Sequence, residues 1–392
     1  MAVKPRFDGE WVRLGELVSK APIERCGNRK FPVYSMTMHD GIVEQAGRFK
    51  KAIASKDTSS YKVVRKNQLV VGFPIDEGVI YVQNHDAPGI MSPAYNVWNF
   101  DCNRIDPAYL ELALHGPRSM AYYADKMRGT TARRRTLTAD GLCNLAIPLP
   151  SIDEQIRVVR VLDGIRSLIK RANRQITELD ALVKSRFVEM FGDQKLNNKQ
   201  LPQKRLREVS LVGSSRRVFK EELVERGIPF LRGTEVGSYG LGKRVEPSLF
   251  ITPTHYESLI SRAGKPEIGD LLLPSICPDG QIWEVDTEEP FYFKDGRVLW
   301  VRPDRGCLNS TFLRYALKNR FESDFQGLAS GTTFAELKIV ILKEMSITLP
   351  PLSLQQEFAS FSASVDKSRF IVQQKIEKLQ MLYDSLAQEY FS

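Results

Sequence analysis

The sequence predicts an α+β chain built twice: two similar globular domains joined by two long antiparallel coiled-coil helices, related by an internal pseudo-twofold duplication. Three observations predict it. First, the segment from Ile147 to Phe191 returns without gaps from Ile347 to Phe391, matching at Leu149/Leu349, Pro150/Pro350, Gln155/Gln355, Ile176/Ile376, Leu179/Leu379, Leu182/Leu382, Ser185/Ser385 and Glu189/Glu389. Periods of tens of residues make solenoids, whereas a repeat of half the chain makes two copies of a domain, each followed by a helix. Second, each repeated segment carries apolar residues in steps of three and four. Third, the regions before them alternate short β-branched runs with Gly, Pro, Asn and Asp turns.

In order, residues 1–147 form the first globular head. Tyr61-Lys62-Val63-Val64 and Val79-Ile80-Tyr81-Val82 read as strands, and Tyr109 to Met120 reads as a helix. Residues 148–192 form the first rod. Ser151 followed by Glu154 is a capping box with acids in the first turn. The seam runs Ile152, Ile156, Val159, Leu162, Ile165, Ile169, Ala172, Ile176, Leu179, Val183, Phe187 and Met190, and Gly192 is a C-terminal stop. A polar linker, 192–199, opens the second segment, 193–347, whose head carries a strand at Val298-Leu299-Trp300-Val301 and a helix from Thr311 to Phe321. Residues 348–392 form the second rod, with Ser353 and Gln356 as its start signal. Its seam is Phe358, Phe361, Val365, Val372, Ile376, Leu379, Tyr383, Leu386 and Tyr390, interrupted at Ser368. Each rod would be roughly 60 Å long if straight. Either the rods pair with each other or each lies on its own head.

Composition narrows function. A net charge of +9 favours a polyanionic partner, nucleic acid first, though a basic surface indifferent to DNA gives the same number. Five scattered cysteines offer neither a disulfide frame nor a zinc site and fit a reducing cytoplasm. The first ten residues lack an apolar stretch and no run is long enough to span a bilayer, so export and a membrane are not expected.

No GxGxxG or Walker A loop is present, and no Asn-Pro-Pro-Tyr set, Ser92-Pro93-Ala94-Tyr95 being the nearest echo. Pro278-Asp279 with Glu284 and Asp286 lacks the lysine of a nuclease set and reads as a surface turn and strand. No catalytic residue and no metal ligand is expected. Candidate DNA contacts are Arg128, Thr130, Thr131, Arg133, Arg134 and Arg135 in the first head. The second head offers Ser215, Arg216, Arg217, Arg232, Thr234, Lys243, Arg244, Thr332 and Thr333. Arginine forks, hydroxyls and flexible glycines are the usual contacts to phosphates and guanine edges, and each cluster could equally be a solvated face.

The stretches Ile147-Pro148-Leu149-Pro150-Ser151-Ile152-Asp153-Glu154-Gln155 and Leu179 to Asp193, and Gly331-Thr332-Thr333 followed by Leu349-Pro350-Pro351-Leu352, resemble the specificity subunit of a type I restriction-modification enzyme. The resemblance covers essentially the whole chain. It implies two target-recognition domains, each reading one half of a split duplex DNA sequence, with the helices as a spacer. It also implies docking of two modification (methyltransferase) subunits and of restriction subunits, with S-adenosylmethionine, ATP and Mg on those partners and no cofactor here. Leu149, Pro150, Gln155, Leu349, Pro350 and Gln355 are the expected partner contacts. The second rod departs from the pattern, with Ser353-Leu354-Gln355-Gln356 where the first has an acidic start. Two other readings remain: a DNA-reading subunit of a modification system without a nuclease, and a coiled-coil adaptor between proteins.

Overall fold

The computed structural model describes residues 10–38, 40–48, 57–129, 131, 135–277, 280–328 and 336–392. It divides into two compact units, residues 1–173 with 374–392, and residues 174–373. These cut across the four segments expected from sequence, because each long helix gives one half to each unit.

The first unit is closed by its own ends. Strand Glu10–Arg13 pairs antiparallel with Ala146–Leu149, Val12 facing Ile147, so the Ile-x-Leu-Pro motif is the last strand of the head. Behind it lies a four-stranded antiparallel sheet in the order Val18–Lys20, Asn96–Phe100, Gln68–Val71, Ile80–Val82. A hairpin, Tyr34–Met36 with Ile42–Glu44, and a strand pair, Lys62–Val64 with Gly89–Met91, build further layers with small cores of their own. The helix expected over 109–120 is two helices, Pro107–Leu114 and Pro117–Lys126. Gly116-Pro117 breaks it, since proline disfavours a helical conformation in the residue before it.

The first long helix is continuous from Ile152 to Phe191. In the first unit it buries Val158, Leu162 and Ile165 in the same core as Leu386, Tyr390 and Phe391 of the second long helix, Leu352–Phe391. The Arg166 guanidinium lies 5.0 Å from the Tyr383 ring centre, and Phe391 packs 5.6 Å from Tyr109 of the head. Helix segments therefore pair antiparallel and also lie on the head, so the two arrangements left open by the sequence occur together. Val158 is fully buried where the expected seam had Val159.

The second unit repeats this plan. Strand Gln203–Arg205 pairs with Ser346–Thr348, Lys204 facing Ile347. The four-stranded antiparallel sheet has the matching order Ser210–Gly213, Val298–Pro303, Leu271–Pro274, Trp283–Glu284. The helix expected from Thr311 to Phe321 starts at Ser310, and the helical stretch reaches Leu328 across a kink at Asp324, where φ is −157°. A second sheet, Phe250–Ile251, Ile228–Leu231 and Tyr292–Phe293, is flanked by helices Gly233–Gly240 and Pro253–Ala263. The helix pair is antiparallel here too: Phe187 sits 5.3 Å from Phe358, and Arg369 bonds Asp180 at 2.6 Å.

Two details correct the sequence reading. The second long helix starts at Leu352, so Ser353 is in its first turn and Pro351 stands where the first copy has Ser151. The stretch 192–199 is no free tether. Gly192 takes the left-handed conformation of a helix stop, and Gln194 is 1% exposed, its Oε1 accepting from Thr348 N and Oγ1 at 3.1 and 2.9 Å.

Candidate nucleic-acid interface

Each head is fastened to its long helix by one glutamine. Gln155 Oε1 accepts from Asp106 N (2.8 Å), while Nε2 donates to the carbonyls of Arg104 (3.0 Å) and Pro150 (2.9 Å). Gln355 does the same with Asn309 N (2.8 Å) and the carbonyls of Cys307 (3.0 Å) and Pro350 (2.8 Å). Both are fully buried. This overturns their expected role as partner contacts: the amides are spent inside the chain, satisfying backbone groups at a helix start. Pro150 and Pro350 are buried as well, and Leu149 and Leu349 pack on the two main cores.

In the first head, Arg128 and Thr136 exchange backbone hydrogen bonds (2.8 and 3.1 Å) and close the base of the arginine-bearing loop. Arg128 and Thr131 are exposed. Thr130, Arg133 and Arg134 lie outside the described residues. Arg135 departs from the expectation of a DNA contact. Its guanidinium bonds Asp76 and Glu77, and its carbonyl accepts from Ile75 N at 2.9 Å. The hydrogen bond it donates to Glu77 above all holds its pKa above the ordinary value. It anchors the loop and is not a spare cation.

In the second head, Thr332 and Thr333 also lie outside the described residues. Leu337 N donates to Ser275 O (2.7 Å), and Glu336 bonds Ser275 and Arg297, pinning the returning chain. Ser215 Oγ donates to Phe293 O (2.6 Å) and Thr234 Oγ1 to Glu235 (2.9 Å), so both hydroxyl protons are committed internally. At the start of helix Gly233–Gly240 the Glu235 carboxylate, on a residue 6% exposed, accepts from Arg232 N at 2.9 Å and pairs with the Arg232 guanidinium at 2.5 Å. Burial pushes the Glu235 carboxyl up, but hydrogen bonds from Arg232 and Thr234 outweigh it and hold the pKa at about 2. Arg216, Arg217, Lys243 and Arg244 are exposed. Arg217 bonds Asp295 at 3.3 Å, and Arg244 bonds Asp286 while lying over Tyr239 and Trp283. For Arg135, Arg217 and Arg244 the sequence could not show the pairing, because the acids involved are dozens of residues away, whereas the partner of Arg232 is three residues on.

Among the described residues no group of three or more His, Cys, Asp and Glu is placed to hold a metal ion. Pro278 and Asp279 are outside them, and Glu284 accepts from Thr311 Oγ1 at 3.0 Å. Among the described residues no helix is long and apolar enough to cross a membrane.

The comparisons with known proteins agree with this architecture. Residues 204–381, the second head and most of its long helix, match the family model of the type I restriction modification DNA specificity domain. A chain of Haemophilus influenzae named as a type I restriction enzyme specificity subunit is 24% identical over 232 residues, 58% of this chain and 57% of that one. The MjaVIII specificity subunit of Methanocaldococcus jannaschii is 23% identical over 261 residues, 60% of this chain and 59% of that one. The matched stretch thus spans about three-fifths of the length of these relatives. In fold, the chain is similar to the type I specificity subunit of M. genitalium, with a TM-score of 0.55 at 16% identity and 99% of each chain covered. It is also similar to a chain from a type I R-M system, with a TM-score of 0.56 at 19% identity and 98% of each covered. Residues 204–381 are therefore similar to the type I restriction modification DNA specificity domain, and the chain shares the fold of the M. genitalium specificity subunit.

Proposed function

We propose that this chain is a non-catalytic, sequence-specific DNA-binding subunit. Each head reads one half of a bipartite duplex site, and partner subunits carry out adenine methylation and restriction there, in the cytoplasm. The observation that carries the reading is the repeated glutamine fastening: two heads of matching sheet order, each held to a long helix by the same three hydrogen bonds, but differing in the rest of their structure. A constant mount with variable heads suits a protein that reads two different sequences at a set separation.

The partners follow from the same repetition. Two identical modification subunits need two similar docking faces. Since Gln155 and Gln355 are inside, the exposed repeated residues are better candidates, and Leu182 and Leu382 are 49% and 47% exposed at matching positions. S-adenosylmethionine, ATP and Mg would belong to the partners.

The test is selection from a randomised duplex pool by the full chain co-expressed with its methyltransferase. The reading expects two short conserved blocks with a fixed gap. A single uninterrupted motif would contradict two heads, and absence of any motif would favour the adaptor.

A further inference from the structure

We propose that Arg244 reads a guanine in the half-site of the second head, an inference that rests on the DNA-reading function above and names one base class within it. The guanidinium is exposed yet held from several sides. Its centre lies 4.8 Å from the Tyr239 ring centre and 5.5 Å from that of Trp283. One terminal nitrogen, Nη2, bonds both carboxylate oxygens of Asp286, and Trp283 Nε1 fixes Oδ1 of that carboxylate at 3.0 Å. The Trp283 ring is 3% exposed and meets Tyr239 edge-on at 5.0 Å, so the platform belongs to the core.

The loop that carries Arg244 is equally fixed. Tyr239 Oη donates to Val245 O (3.0 Å), and Lys243 N donates to Ser238 O (2.9 Å). Gly240 allows the close approach, since a Cβ there would lie 2.8 Å from Ile282 N, immediately before Trp283.

This arrangement distinguishes two jobs. A phosphate anchor works as a net positive charge, and pairing with Asp286 offsets that charge. A guanine reader works as an oriented planar fork donating to O6 and N7, and a neighbouring carboxylate plus stacking supplies that orientation in advance. Holding the fork in place before binding also reduces the entropy lost on contact. Of the second head's candidate basic residues, Arg232 is committed to the buried carboxylate of Glu235, whereas Arg244 combines exposure with a rigid seat.

The experiment is selection from a pool of duplexes with both half-sites randomised, using full chains carrying Arg244, R244K, R244A and D286N, each with its methyltransferase. Thermal melting of each variant confirms the fold. With Arg244, a G should be fixed at one position of one half-site. Both R244A and R244K should relax that position alone by roughly ten- to hundred-fold, since lysine keeps the charge and loses the fork. D286N should relax the same position less. The other half-site should not change. Unaltered selection in R244A would overturn the proposal. So would a uniform loss in R244A with a salt slope smaller by about 1 and full rescue by R244K, the signature of a phosphate contact. If the unmodified chain selects no sequence, the DNA-reading function itself fails and this inference with it. Selection by the unmodified chain with no effect of R244A defeats the inference alone.

Discussion

The two heads place different chemistry at one equivalent point of the same sheet. In the first, Gln68 faces Asn99 across the central strand pair and donates to it at 2.8 Å. In the second, the residues at the same places, next to Leu271 and Val301, are Asp270 and Arg302, an ion pair with Asp270 fully buried. Asp270 also accepts from Trp300 Nε1 at 2.8 Å. A neutral amide pair tolerates loss of one partner, whereas a buried carboxylate does not. Strand order, the closing strand pair and the glutamine fastening are repeated, while the internal chemistry and the added layers are free to differ.

The largest effect is expected from Arg302→Ala, which strands the Asp270 charge and should cost about 3–5 kcal/mol, against about 1 kcal/mol for Gln68→Ala. Urea unfolding with hydrogen exchange on each head measures both, and equal losses would mean the two pairs are energetically alike. Next, Gln155→Leu and Gln355→Leu should each cost about 2–4 kcal/mol by stranding buried backbone groups. Their effects should match, so proteolysis that exposes one head much more than the other would refute a shared mount.

A smaller effect belongs to the second head alone. The Glu235 pKa is depressed from the ordinary 4.5 to about 2, so its contribution is fully present above pH 4.5 and is lost as pH falls towards 2. Glu235→Gln should cost about 1–3 kcal/mol at neutral pH and almost nothing near pH 2. Acid titration of melting temperature would show the two curves converging, and parallel curves would contradict the depressed pKa. Smallest of all, Leu182→Arg with Leu382→Arg should change stability by no more than about 0.5 kcal/mol while weakening methyltransferase capture. Unchanged co-purification would remove these leucines from the docking face.

Much of this plan could be read in the sequence because it is periodic or repeated. Heptad-like spacing located Leu162, Ile165, Val183, Phe187, Phe358 and Val365, all buried. The break before Pro117 is also legible in the Gly116-Pro117 pair, but the apolar pattern around it runs on as if the helix were unbroken. The site was less legible. Gln155 and Gln355 stood out only as identities inside a repeat, and identity alone does not separate an internal fastening from a docking contact. Arg135 looked like one of three equal arginines. Its neutralisation by Asp76 and Glu77 depends on a turn brought close by the fold, which local charge patterning does not record.

On the function proposed above, one mount carries two independent readers. Replacing residues 1–147 by the corresponding head of another such chain, and sequencing the methylated sites of the host, tests it most directly. One half of the target should change, while the other half and the gap between them should stay as they were. A change in both halves, or in the gap, would contradict it.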